Sequence, residues 1–323
     1  MFENRRVKIA YLCPSRPAAR NVRVALCWIF AGLLCVAAVT PSLRAQTGSQ
    51  TSTEVHGLWV WKGPEIAQDA QGRQALRDFC AAQGVNEIYI SVSSHGVLMP
   101  ADPLSRLIAL LHRANVRVEA LLSSEDADEP GTHREKLLDH ARDILAFNQA
   151  HPGSRFDGIH LDIEPQQRPE NKGAGNLRFL PGLVDAYAAV LALAQPAHLT
   201  VNADIQNKLL KGTLAERRSL LTSLPRLTLM LYELSSPGDG ESAEQQTEKL
   251  RTESRKYLDM AYDGLGDANE NDAKVARMAI GLRTPDYGEQ LPAMLSALDR
   301  ANGGNPHFLG SARHSYNDVA GGQ

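Results

Sequence analysis

Eight short apolar runs, each followed or preceded by a longer amphipathic stretch, constrain this 323-residue chain more than any other feature. The runs are VHGLWVW (55–61), EIYISV (87–92), RVEALLS (117–123), GIHLDIE (158–164), HLTVNAD (198–204), RLTLMLYE (226–233), ARMAIGL (276–282) and HFLGSA (307–312). Stretches between them, such as QALRDFCAAQG, SRLIALLHRAN, HREKLLDHARDILAFNQA and LVDAYAAVLALAQ, repeat apolar residues at three- and four-residue spacing. That is the spacing of a helix packed on a sheet. Gly84 and Asn115 stand just before strands, where a helix tends to end on a left-handed residue. Eight strands separated by helices across residues 46–323 have the count and length of an α/β fold of the (β/α)8 TIM-barrel type. The rival, an open doubly wound sheet, would often carry a Gly-rich phosphate loop after its first strand, and WVWKGPEIAQ has none. No cofactor is expected.

The N-terminal segment has a different character. Residues 1–45 hold seven of the 34 basic residues and one of the 37 acidic ones, followed within the segment by the uncharged run VALCWIFAGLLCVAAV (24–39). A basic head, an apolar stretch and a small residue at Ala45 predict a secretory signal peptide cleaved near that point. A retained anchoring helix is the alternative, although the run is short for a full span. Residues 46–54 read as a polar linker and 55–323 as one barrel domain. Without the leader the net charge falls from −3 to about −9, which argues against nucleic acid as a partner. Cys80 is then the sole cysteine, so neither an internal disulfide nor a Cys-based metal site is expected. The expected compartment is the periplasm or the cell exterior, with no membrane contact once the leader is removed.

In a barrel of this kind, active sites form at the C-terminal ends of the strands and in the loops beyond them. Residues so placed are Trp59, Trp61 and Lys62; Ser91, Ser93 and His95; Ser123, Ser124 and Glu125; Asp162 and Glu164; Asn202 and Asp204; Tyr232 and Glu233; Arg283; His314 and Tyr316. The fourth run is the most informative. In FDGIHLDIEP, Ile159, Leu161 and Ile163 share one face, and His160, Asp162 and Glu164 share the other. The aliphatic set suits the layer under the helices, so the polar set points into the barrel. Asp162 and Glu164 are then roughly 6.5–7 Å apart along the strand, near enough to perturb each other's protonation. Such a pair can keep one carboxylic acid protonated for general acid work. Asp157, at the start of the strand, reads as a cap or ion-pair residue, and His160 reads first as a hydrogen-bonded core histidine.

FDGIHLDIEP resembles the fourth-strand signature D-x-x-D-x-D-x-E of family 18 glycoside hydrolases, the chitinase-like enzymes. Asp157, Asp162 and Glu164 match, and His160 stands where the middle Asp would be. Met230-Leu231-Tyr232-Glu233 is similar to that family's M-x-Y-D element on strand six, with Glu in place of Asp. The resemblance covers these two motifs and the strand order. It implies a glycan substrate bearing an N-acetyl group and assigns catalysis to Glu164, Asp162 and Tyr232. Glu164 would protonate the glycosidic oxygen, Asp162 would orient the acetamido group, and Tyr232 would hydrogen-bond that group. The family usually floors its sugar site with a last-strand Trp, where this chain offers His314 and Tyr316. Trp59, Trp61, Asn202, Asp204, Glu233, Arg283, His314 and Tyr316 complete the expected substrate contacts, and no metal is assigned.

Three other uses of the fold compete. A retaining glycosidase would need a nucleophilic carboxylate on strand seven, which ends Gly281-Leu282-Arg283-Thr284, so Asp204 or Glu233 would have to serve. A metal-dependent hydrolase would use His160, Asp162 and Glu164, helped by His95 and His314. A carbohydrate-binding barrel would keep the shape without the chemistry. The segments SSEDADEPGTH (123–133) and YELSSPGDGESAEQQTEK (232–249) read as solvated loops.

Overall fold

Period-two runs joined by period-3.6 connectors should give two concentric layers, and the computed structural model has them. It describes residues 54–94, 97–173, 177–232, 241–265 and 275–320. The proposed leader, most of the linker, His95 and Glu233 lie outside the described residues. The eight strands are β1 (Val55–Val60), β2 (Glu87–Ser91), β3 (Arg117–Ser124), β4 (Gly158–Ile163), β5 (Thr200–Gln206), β6 (Arg226–Met230), β7 (Arg277–Arg283) and β8 (Phe308–His314). Each pairs in parallel with its neighbours in the chain, and β8 closes on β1. This closed ring with helices between the strands is a (β/α)8 barrel. The last strand runs two residues beyond its expected end because Arg313 and His314 continue the ladder with Leu282 and Arg283.

The connectors are α1 (Gly63–Gln68), α2 (Ala70–Gln83), α3 (Ala101–Arg113), α4 (Thr132–Ala150), α5 (Leu180–Ala194), α6 (Leu214–Leu221), α7 (Ala243–Tyr262) and α8 (Leu291–Asn302). Their ends follow local chemistry. The Asp69 carboxylate accepts from the Gln71 and Gly72 amides and starts α2. Thr213 with Glu216, and Ser242 with Gln245, form reciprocal capping boxes for α6 and α7. Gly84 (φ 66°) and Asn115 (φ 57°) are left-handed, as expected of residues that end helices before β2 and β3.

The outer layer is aliphatic. Leu58, Val60, Ile88, Ile90, Val118, Ala120, Leu122, Ile159, Leu161 and Ile163, with their counterparts on β5–β7, form one continuous core under the helices. The interior is different. Val55, Ala279 and Leu309 pack together in one small interior cluster, and Trp59, Tyr89, Leu121 and Ala312 form another. Alongside them the barrel holds ions. Glu87 receives both terminal nitrogens of Arg226 (2.6 and 3.1 Å) and Nε of Arg117 (3.2 Å), and both Glu87 and Glu119 are fully buried. Losing one partner of such a pair strands the other charge in a dry interior, a cost of about 3–5 kcal/mol.

Large rings fit beside these ions because two strand positions lack side chains. A Cβ on Gly281 would stand 2.8 Å from the Trp59 ring, and one on Gly57 would stand 2.7 Å from the Tyr89 hydroxyl. Gly281→Val should therefore destabilise the fold by roughly 1–3 kcal/mol, as overpacking does. Urea unfolding followed by far-ultraviolet circular dichroism measures this. An unchanged midpoint would mean that Trp59 has another place to go.

Candidate active site

The fourth strand delivers the polar set inward, as alternation requires. Gly158 opens it because any Cβ there would meet Thr200 Oγ1 at 2.3 Å. His160 is completely buried and stacks on Tyr89, with ring centroids 3.8 Å apart. Its Nε2 lies 2.8 Å from Asp204 Oδ1 and its Nδ1 3.3 Å from Glu119 Oε2. Burial alone would lower its pKa, but the two carboxylates outweigh it and raise the imidazole to about 10. His160 is thus an imidazolium donating from both nitrogens, the hydrogen-bonded core role read from the sequence. Neither nitrogen remains for a metal, which removes the ligand set of His160, Asp162 and Glu164.

One pleat further on, Asp162 is 8% exposed, and its Oδ1 has no hydrogen-bond partner among the described residues. Burial, followed by the charges of Asp204 and Glu164, pushes its carboxyl well above the usual range, against the opposing pull of His160. The neutral acid is the favoured form. Glu164 follows the strand and is half-buried. Its Oε1 accepts from the side-chain amides of Gln206 (2.9 Å), Gln166 (3.1 Å) and Gln167 (3.4 Å). Two adjacent carboxyl groups therefore have different surroundings, one buried without donors and one held by amides.

Aromatic residues complete the walls. Trp59, at 1% exposure, donates Nε1–H to Asp204 Oδ2 at 2.9 Å. Trp61 is partly exposed and donates its indole N–H to His314 Nε2 at 2.9 Å. Accepting that bond requires a neutral His314, consistent with burial lowering its pKa. The Tyr232 ring lies 5.2 Å from that imidazole, and burial together with Asp204, Asp162 and Glu164 keeps its phenol protonated. Trp59, Trp61, Asp162, Glu164, Asp204, Tyr232 and His314 line one cavity of about 140 Å³ with Gln167, Gln206 and Met230. Small-molecule sites usually run to roughly 300–1,000 Å³, so this one accepts a ring-sized group and a longer chain must leave over its rim.

Other expected contacts fall elsewhere. Asn202 lies one pleat deeper, where its amide donates to both oxygens of Glu119 at 2.6 and 2.7 Å. Tyr316 turns away and packs on Phe79 of α2, ring centroids 5.2 Å apart. Arg283 is half-exposed near the rim and pairs with Asp286 at 2.6 Å. Glu233 and His95 lie outside the described residues. Asp157 binds His112 (2.9 Å) and the Val118 amide (2.8 Å), a structural role. The loop after β3 is less solvated than its composition suggests. Ala127 and Asp128 are buried, and Arg168 from the loop after β4 reaches Asp128 (2.7 Å) and Glu129 (2.5 Å), tying two cleft walls together. Sequence reasoning missed Glu119, Glu87 and Arg226. Its usable signal was the inward parity of Glu87 and Glu119 in their runs.

No family model matches the chain, and no curated protein matches it. Solved structures do. The glycoside hydrolase domain of PgaB (BpsB) from Bordetella bronchiseptica is 12% identical and superposes over 83% of this chain and 95% of its own, with a TM-score of 0.50. A family 5 glycoside hydrolase from Bifidobacterium longum subsp. longum, in complex with Manβ1-4GlcNAc, is 9% identical over 81% of this chain and 69% of its own, with a TM-score of 0.55. A family 18 chitinase from Chromobacterium violaceum gives 15% identity, 81% and 78% coverage and a TM-score of 0.46. At these identities the likeness to the first two structures establishes the barrel fold.

The raised His160 pKa has a stability consequence with a definite sign. The folded state keeps this proton up to about pH 10, whereas an unfolded histidine loses it near 6.5. Its contribution is complete below pH 6.5 and is lost as pH rises toward 10, at up to about 1.4 kcal/mol per unit. Urea unfolding between about pH 7 and 9 should show falling stability in the wild type and a flatter slope in His160→Gln. Equal slopes would place the proton elsewhere.

Proposed function

We propose that this protein is a secreted glycoside hydrolase that cleaves a glycan carrying N-acetylhexosamine, with Glu164 as general acid. The observation that carries this reading is the pairing of buried, unpartnered Asp162 with amide-held Glu164 in an aromatic-walled cavity at the strand ends. Residues 1–45 act as its export signal. Glycan is the partner, and the site uses no cofactor.

The chemistry follows from the two carboxyl groups. The substrate's acetamido oxygen attacks the anomeric carbon as the glycosidic C–O bond breaks, and the leaving oxygen takes a proton from Glu164. Asp162 is a nearby proton source. Passing its proton to Glu164 leaves an Asp162 carboxylate to accept the acetamido N–H. The His160 imidazolium favours that anion, since its charge already opposes the rise in the Asp162 pKa. Tyr232, kept as a phenol, donates to the acetamido oxygen, and Trp61 offers a partly exposed face for the ring. Water then opens the cyclic intermediate with Glu164 as base. A second reading, a carbohydrate-binding barrel without turnover, draws on the small cavity and on the three amides crowding Glu164.

Reducing-end release from N-acetylhexosamine polymers and from neutral glycans tests both. Glu164→Gln should lower turnover by about 10²–10⁴-fold, the usual worth of a general acid. Asp162→Asn should also lose activity but keep or gain stability, because burial already disfavours the charged form of the native side chain. Glycan binding without release by the wild type would favour the binding barrel. Release that survives Glu164→Gln would overturn the assignment of the acid.

A further inference from the structure

The outer face of the last strand differs from those of β2, β4, β5, β6 and β7. Those strands present aliphatic residues to the helices at every second position. β8 contributes only Phe308, after which its outward residues are Ser311 and Arg313. The residue in register with Ser311 on β1 is also polar, His56. These three line a cavity of about 310 Å³ between α2 and α8, whose walls include Gln83, Val85, Leu295 and Asp299. It is more than twice the volume of the candidate active site and shares no residue with it.

Exposure to water does not account for the polar lining, because Arg313 is 6% exposed and Ser311 2%. Arg313 lies over the Phe79 ring and donates to Gln83 Oε1 at 3.0 Å. Its Nε is buried without a partner, and no carboxylate of the described residues offsets its charge. Asp299 enters the cavity from α8. Its Oδ2 accepts from Ser311 Oγ at 3.1 Å and lies 3.8 Å from His56 Nδ1, while Oδ1 is buried without a partner. The Arg313 guanidinium and the Asp299 carboxylate thus line one cavity, and no ion pair joins them. A buried cation without a counter-charge is costly, and so is a buried acceptor without a donor. A ligand in the cavity bearing an oxyanion would offset the Arg313 charge, and hydroxyl groups on it would reach the polar side chains of the lining.

We infer that this cavity binds a small polyhydroxylated anion of monosaccharide size, its carboxylate or phosphate on Arg313 and its hydroxyls on Asp299, Gln83 and Ser296. The volume lies at the lower end of the roughly 300–1,000 Å³ of small-molecule sites. The site is independent of the glycosidase reading.

Thermal unfolding of the full chain with glucuronate, glucose 6-phosphate, inorganic phosphate and glucose tests the assignment. Glucuronate or glucose 6-phosphate should raise Tm saturably, by about 3 °C at ten times Kd, and glucose should not. The more effective of the two names the anion. The rise should vanish in Arg313→Gln. It should also vanish in Ser296→Trp, which fills the cavity from an exposed rim position and spares the core. It should persist in Glu164→Gln, which separates this cavity from the candidate active site. A rise with inorganic phosphate equal to that with glucose 6-phosphate would overturn the hydroxyl contacts. No saturable rise with any probe, or a rise that survives both cavity variants, would overturn the site.

Discussion

A histidine cation sealed between two carboxylates holds the centre of this barrel together. His160 has no contact with water, so its charge survives only because Asp204 and Glu119 flank it. Each flanking acid is itself tied to another strand: Asp204 to Trp59, and Glu119 to Asn202, with Arg226 nearby at 3.7 Å. The chain of contacts runs from the N-terminal ends of β3 and β6 up to the floor of the cavity. An aliphatic barrel interior would give stability without direction. This one acts on the acid above it: burial raises the Asp162 pKa, Asp204 adds to the rise, and His160 opposes it.

Much of the fold was legible because it rests on local patterns. Alternation in β4 put Ile159, Leu161 and Ile163 under the helices and His160, Asp162 and Glu164 inside, and Gly84 and Asn115 marked helix ends. The structural use of Asp157 was legible for the same reason. What spacing cannot encode is partnership over long sequence separations. Arg226 lies 139 residues from Glu87, and nothing in either run names the other. Asn202 looked like a rim residue because it shares a strand end with Asp204, yet one pleat of depth places it on Glu119 instead. Tyr316 follows His314 by two residues, but the chain turns after β8 and the ring leaves the site for Phe79.

Composition misled at the loop after β3. Its acidic residues suggested a solvated segment, whereas Arg168 collects Asp128 and Glu129 from the neighbouring loop. Charge density there marks an intramolecular clamp. A cleft wall built this way is held by ion pairs more than by apolar packing, so salt weakens it where exposed while the histidine bridge below is insulated from salt.

The chain has three tryptophans, and one of them, Trp28, lies in the proposed leader, outside the described residues. The two others are Trp59, bonded to Asp204 inside the barrel, and Trp61, bonded to His314 at the cavity wall. Among the described residues, both indoles therefore touch the same small space. The protein carries its own optical probe: any molecule entering that space, or any proton leaving its floor, alters the surroundings of both emitters.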